Sequence, residues 1–536
     1  MKAPPPQNIS TGALAQRLCG ALLVLIAFAL IVLDAAGRSL STNTCEILLL
    51  VALVIIAFAV HKTPGGMISL IGLIFLGTIL WVAPRPLFAL VTQDDTIYTL
   101  AYGQLTAPRG EELYRLLAFW VIGIASLFGG YFLFFSNTHS TLKPLSDQGR
   151  IYCKRSFIVA FIIVAVLLPI LAHKRFVAFA TGGYLALYLN QAESSFSLLP
   201  LLDYLAPTLY ALSVLIREKR YSRLMVVAVI GYALCGILFG RRMEAGTWLL
   251  VALWHSSTIR GKPIRLGRLL FGFAVVGCAF QWIEMLRTES DAVHSIFADL
   301  FLSQGVIFMI PALAWQLPTP PLHTIFGSFL SIRHFYRILG VGSIGTDNVL
   351  DYISSQSSPT LFVAGNGLSS TGYLDIFYAC GQAMALYAVV CGLLGYLLRN
   401  WEAWSSRSSV ALFFLCVCLP SLFFVQRSSV FSVTSPIAYL SLFMAATYVL
   451  HLFLTLIEFN ATRAESIHGK NSKAFIDIHS RSYANMAVGL FFRCLNKIHT
   501  PSLREEDQVA ANCAVDSFNP ASLWTRKRVD EHHSAL

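Results

Sequence analysis

The chain has 536 residues, of which 56% are apolar and only 12% charged, about half the charged share of an average soluble domain. That balance excludes an ordinary water-soluble enzyme and predicts a protein built for lipid. The formal net charge of +11 would suit a nucleic-acid partner in a soluble chain. Here it is read as a membrane-orientation signal, and no nucleic acid is expected.

Uncharged apolar stretches recur at the length a helix needs to cross a hydrocarbon core about 30 Å thick. About 12 transmembrane helices are predicted, at 18–36, 45–61, 67–83, 116–135, 156–172, 198–216, 224–240, 245–259, 269–285, 373–398, 409–425 and 431–456. The first, with Arg17 before it and Ala35-Ala36-Gly37 after it, resembles a signal peptide. The many spans behind it predict an uncleaved first helix instead. Residues 176–189 are apolar enough for a thirteenth span, but that span would carry Arg217-Glu218-Lys219-Arg220 outside. Residues 173–197 are therefore read as an outer, partly membrane-buried hairpin, bent at Gly182-Gly183-Tyr184. With both ends inside, 27 of the 39 Lys and Arg residues face the cytoplasm, as the positive-inside rule requires. The expected fold class is thus an all-α polytopic membrane protein. Residues 1–456 form the transmembrane domain, with a large outer loop at 287–372. Residues 457–536 form a polar, cytoplasmic, mostly disordered tail, in which 486–498 reads as an amphipathic helix on the inner leaflet.

The loop at 287–372 is too long for a connector and too rich in aromatic and apolar residues for a spacer, so it is read as folded and functional. Eleven of the twelve basic residues on the outer side are arginines. A guanidinium cannot deprotonate and grips phosphate oxygens in pairs, so the bias points to an anionic ligand at the outer face. Anchoring to lipid headgroups is the alternative for the set as a whole.

Within that set, Gly240-Arg241-Arg242-Met243-Glu244 forms the outer turn of a tight helical hairpin. Two arginines there run against the topological bias. They read as a diphosphate clamp in which Glu244 orients a guanidinium, with snorkelling as the other reading. In the large loop, Arg333-His334-Phe335-Tyr336-Arg337 sets two arginines one helical turn apart, beside a histidine able to take a proton from a hydroxyl. A solvated amphipathic helix would show the same pattern. His173, His294 and His323 are rivals of His334. Arg287 ends the ninth predicted span, and Arg427 sits in the turn Gln426-Arg427-Ser428-Ser429. Asp375 and Asp203 lie about one turn inside predicted spans, where a carboxylate either serves function or faces water near the span end.

No phosphate-cradling glycine-rich motif and no Asp-x-Asp pair in an outer loop is present, so no nucleotide, cofactor or metal is expected. Eleven cysteines show no paired-ligand spacing, and Cys416-x-Cys418 inside an apolar run reads as packing.

Several stretches together resemble a known family. Gly240-Arg241-Arg242 at an outer turn is followed by Phe301-Leu302-Ser303-Gln304-Gly305-Val306. Then come Gly365-Asn366-Gly367-Leu368-Ser369-Ser370-Thr371-Gly372-Tyr373, Phe377-Tyr378-Ala379-Cys380-Gly381 and Val390-Cys391-Gly392-Leu393-Leu394-Gly395. In order and topology these are similar to the Wzy-type O-antigen polymerases, over roughly residues 210–430. The resemblance implies a GT-C-like, metal-independent glycosyltransferase in the bacterial inner membrane. It would join undecaprenyl-diphosphate-linked oligosaccharide repeat units into surface polysaccharide, such as the O-antigen of lipopolysaccharide, at the periplasmic face. It also implies a membrane-lipid setting and a possible chain-length regulator as partner. On that reading His334, Glu244 and Arg333 are the catalytic candidates. Arg241, Arg242, Arg287, Arg337, Arg427 and Asp375 bind substrate. The family's outer-loop pattern Arg-x10-Gly has no persuasive counterpart here. His334 and Gly345 are separated by ten residues, a spacing like that of O-antigen ligases. An O-antigen ligase and a lipid-linked oligosaccharide flippase are the alternatives; the halves show no pseudo-symmetry of the kind flippases carry.

Overall fold

The computed structural model describes residues 11–93, 95–98, 108–134, 145–189, 201–238, 242–261, 305–329, 348–357, 359 and 371–468, with backbone alone at 95–96, 178–179, 181–189, 237–238, 242–245, 305–306, 431 and 461–468. Among the described residues the chain is helical, without a strand. It divides into a unit over Met1–His451 and a second over Leu452–Leu536.

Among the described residues six helices are long and apolar enough to cross a membrane, or up to seven if one bent pair counts as a span. The first two are α1 (Thr11–Ala35) and α2 (Thr42–His61). The third predicted span is instead the short α3 (Leu70–Trp81) joined at 50° to α4 (Pro84–Thr92). The cause is local: Pro84 and Pro86 lack the N–H that a continuing helix needs. A helix of 12 residues covers only about 18 Å, short of the hydrocarbon core. Helix α5 (Glu111–Leu133) follows.

Helix α6 (Asp147–Leu189) is continuous over 43 residues. This corrects the expected outer hairpin at 173–197, because Gly182-Gly183 lies inside the helix. A glycine pair lowers helix propensity by about 1 kcal/mol per residue, and an apolar segment that keeps its own backbone bonds outweighs that in lipid. The hairpins α7 (Leu201–Ile216), α8 (Lys219–Leu238) and α9 (Arg242–Trp254) come next. The ninth predicted span and the expected tail helix at 486–498 lie outside the described residues. Short helices α10 (Ile310–Trp315), α11 (Leu322–Gly327) and α12 (Val349–Ser357) belong to the large-loop region.

The tenth predicted span, 373–398, is two helices. Helix α13 (Gly372–Ala379) stops at Cys380, and the span α14 (Met384–Ser405) starts afresh. Gly381 and Gln382 between them both take left-handed backbone, at φ 62° and 64°. Helices α15 (Ser409–Leu422) and α16 (Phe431–His468) complete the order. Helix α16 therefore runs past residue 456, where the polar tail was expected to begin.

Helix α5 is the axis of the first unit. Its spanning window is 94% buried, against 28% for α1 and 33% for α14. Trp120, Phe119, Phe128, Phe132 and Tyr131 fill the centre. Helices α1, α2 and α14 pack around it. The approach of α14 is backbone on backbone: a Cβ at Gly395 would strike the carbonyl oxygen of Leu127, and one at Gly130 would strike that of Gly392. The outward faces of α1 and α14 carry exposed Leu18, Leu25, Phe28, Val389, Leu393 and Leu397, the surface expected against lipid. Cys416 and Cys418 are buried on α15.

Candidate functional site

Chain direction sets what gathers at one end of the first unit: the end of α3, all of α4, the start of α5, α13, the start of α14, the turn after α15 and the start of α16. The opposite end holds the start of α6 and the end of α14. There Tyr131 donates its hydroxyl to Glu402, and Arg399 pairs with the same carboxylate at 3.0 Å. Lys154 meets Glu218 at 2.6 Å. The candidate site is at the first end.

Its best-defined part is the turn 423–430. The chain leaves α15 just after Pro420 and folds on itself, with the Arg427 N–H donating to the Phe424 carbonyl at 2.8 Å. Gln426 is fully buried and donates its side-chain amide to the Ile74 carbonyl at 2.8 Å and to the Thr78 hydroxyl at 2.9 Å. Gly77 admits this contact, since a Cβ there would lie 2.8 Å from the Phe423 carbonyl oxygen. Trp81 rests on Phe424 with ring centroids 4.6 Å apart.

On the far side of Arg427 the anchor is Asp375. The first turn of α13 buries this carboxyl completely. One oxygen accepts from the Ser429 hydroxyl and from the Val430 N–H at 2.9 Å. The other oxygen closes no hydrogen bond of good geometry, although the Ser328 hydroxyl lies near enough to act on the group. Burial pushes Asp375 up to about 7, against the pull of Ser429, Val430 and Ser328 toward the ordinary carboxylate value. Helix α13 is not among the helices long and apolar enough to cross a membrane. The Gly372 N–H adds a bond to the Val425 carbonyl at 3.0 Å.

The same end draws in the large-loop region. Ser328 accepts from the Val349 N–H at 3.0 Å, and the Thr434 hydroxyl of α16 donates to the Phe329 carbonyl at 2.6 Å. Trp120 donates to the Phe308 carbonyl at 2.9 Å. An aromatic chain runs from Tyr373 to Trp120 (5.5 Å), to Phe308 (6.0 Å) and to Tyr98 (5.8 Å). Tyr98 then donates to the buried Glu46 of α2 at 2.5 Å. Beside it, the buried Arg85 donates to the Ile97 carbonyl at 2.5 Å. Arg115 stands 4.9 Å over the Trp315 ring.

Of the residues the sequence singled out, Arg427 and Asp375 are described with their side chains and come together at this turn. Arg427 is half-buried, between buried Gln426 and Ser429. Asp375 has no exposed surface to offer a headgroup, so its expected role as a substrate ligand does not fit this conformation. Arg242 and Glu244 open α9. Helix α9 packs on α15. Arg241, Arg287, Arg333, His334 and Arg337 lie outside the described residues. Asp203, at the start of α7, is exposed and accepts from the Tyr232 hydroxyl. Sequence reasoning missed Glu46, Gln426 and Ser328. Glu46 carried a usable signal, a carboxylate inside an apolar run; nothing local marks Gln426 or Ser328. Among the described residues no group of His, Cys, Asp and Glu side chains is placed to hold a metal ion.

The family model described as O-antigen polysaccharide polymerase Wzy matches residues 19–457 of the chain. No curated protein matches, and no solved structure matches.

Proposed function

The chain belongs to the O-antigen polysaccharide polymerase Wzy family, and from that footing we propose that it joins undecaprenyl-diphosphate-linked repeat units at the periplasmic face of the bacterial inner membrane. The observation that carries this reading is the reach of the family match. It takes in α1 through most of α16, and with them the Arg241-Arg242 turn, the large loop and the Arg427 turn. Membership makes the protein a multi-pass membrane polymerase acting on lipid-linked oligosaccharide; the carrier, the face and the residues are our reading.

In this reading the growing chain is the donor. The bond between its first sugar's anomeric carbon and the phosphate oxygen breaks. A hydroxyl oxygen of the incoming unit bonds to that carbon, and its proton passes to His334 or Glu244. The electron pair of the broken bond stays with the lipid diphosphate. Arg241 and Arg242 hold that diphosphate, and Arg333 stabilises the charge that develops on it as it leaves. Arg287, Arg337 and Arg427 hold the donor or acceptor headgroups. Fixed cations aimed at developing charge, together with alignment of the two reactants, supply most of the rate. The arginine bias on the outer side supports this, because bidentate grip on phosphate is what distinguishes Arg from Lys.

The test is the Arg241→Ala, Arg242→Ala double variant in a strain lacking the native gene. The proposal expects membrane-inserted protein at normal level and polysaccharide shortened to single repeat units. Full-length polymer from that variant removes the clamp from the mechanism.

A further inference from the structure

We propose that Asp375 is a positioning residue, a buried carboxyl that fixes the turn presenting Arg427 to the substrate; the inference rests on the polymerase reading. Arg427 is held from both sides. Before it, Gln426 is fully buried and tied to α3 through Ile74 and Thr78. After it, Ser429 and Val430 are tied to Asp375. Between these anchors, Arg427 and Ser428 keep partial exposure. Short backbone bonds carry the chain through the turn (Phe424 to Ser421, Val425 to Leu422, Arg427 to Phe424), and the side-chain ties fix where that turn sits against α3 and α13.

The carboxyl also sits where three segments meet. Its own helix starts with the Gly372 N–H on the Val425 carbonyl. Ser328, beside the carboxyl, also receives the Val349 N–H at the start of α12. The Thr434 hydroxyl closes the third side on the Phe329 carbonyl. The carboxyl thus ties the Arg427 turn and lies beside Ser328 of the large-loop region. The donors that face it, Ser429, Val430 and Ser328, are all neutral. What they require is an oxygen acceptor, which an amide also supplies.

That requirement gives the test. Asp375→Ala leaves the Ser429 hydroxyl and the Val430 N–H buried without a partner, whereas Asp375→Asn keeps an oxygen for both. Two readouts are taken on the full-length chain: tryptic cleavage after Arg427 in detergent, followed by mass spectrometry, and surface polymer in the complemented deletion strain. The Ala variant is expected to be cut after Arg427 about tenfold faster and to lose about tenfold or more of its long polymer. The Asn variant is expected to stay within about threefold of wild type in both. An Ala variant that matches wild type in either readout, or an Asn variant as defective as Ala, overturns the proposal. If the Ala variant does not accumulate, Ser429→Ala removes one tie and should still raise cleavage about threefold; unchanged cleavage there also overturns it. Wild-type protein that restores no polymer counts against the polymerase reading, while the cleavage rates still judge the anchor by itself.

Discussion

Arg427 and Asp375 stood out in the sequence for different reasons. An arginine in a short turn between apolar helices stands out against the usual charge bias, and it is half-exposed as that suggests. A carboxylate one turn into an apolar run also stands out, but sequence cannot tell a ligand from an anchor. That depends on what packs over it, here residues more than fifty positions away in the chain. Arg427→Ala is expected to reduce polymer synthesis about tenfold or more, the cost of losing a charge-assisted contact of about 1.5–3 kcal/mol to a bound headgroup. Arg427→Lys should recover only part of it, because the ammonium lacks the planar fork; gel profiles of polymer at matched protein level check both. Asp375 also predicts a pH signature in stability. Its folded value, about 7, lies above the 3.8 of a free carboxyl. The stabilisation it contributes is therefore full below about pH 4 and is lost as pH rises to about 7. Measured in detergent from pH 4 to 8, the unfolding temperature of wild type should fall relative to Asp375→Asn across that window. Parallel curves would contradict the buried carboxyl.

Among the elements, the long uniform helices were the legible ones. α1, α2 and α5 each begin and end within a few residues of the apolar runs that announce them, apart from an earlier start to α1. The misplaced elements share a cause. Pro84-Arg85-Pro86 starts a bent helix where an outer loop was expected after the third predicted span, and Gly381-Gln382 split another span. In each case two or three residues of backbone chemistry outweighed the average polarity of twenty. The reverse happened at Gly182-Gly183, where a helix continued through a pair that signals a bend in water. The α5–α14 seam gives a prediction at this scale. Gly395→Leu places a side chain where the Leu127 carbonyl already lies. Overpacking of this kind costs about 1–3 kcal/mol or more, so the variant should unfold at a lower temperature in detergent. The same change at exposed Val389 should be silent.

At the scale of the whole molecule, composition settled the class before any motif did: a chain this apolar has to satisfy its backbone inside lipid, and helices are how it does so. On the proposed topology the distribution of arginines gives one face of the membrane a chemistry that connectors do not need. The proposed function joins this to the family match, since a lipid-linked sugar diphosphate would arrive in the plane of the bilayer and leave an anion behind. Neither fact separates chain extension from transfer of a finished chain, because both reactions expel the same leaving group. The products separate them. The most direct measurement is electrophoresis of the surface polysaccharide from a strain lacking the gene, with and without the wild-type chain restored. The account predicts that loss of the gene leaves core bearing a single repeat unit and that restoration rebuilds the ladder. Bare core, with finished polymer stranded on its lipid carrier, would contradict it.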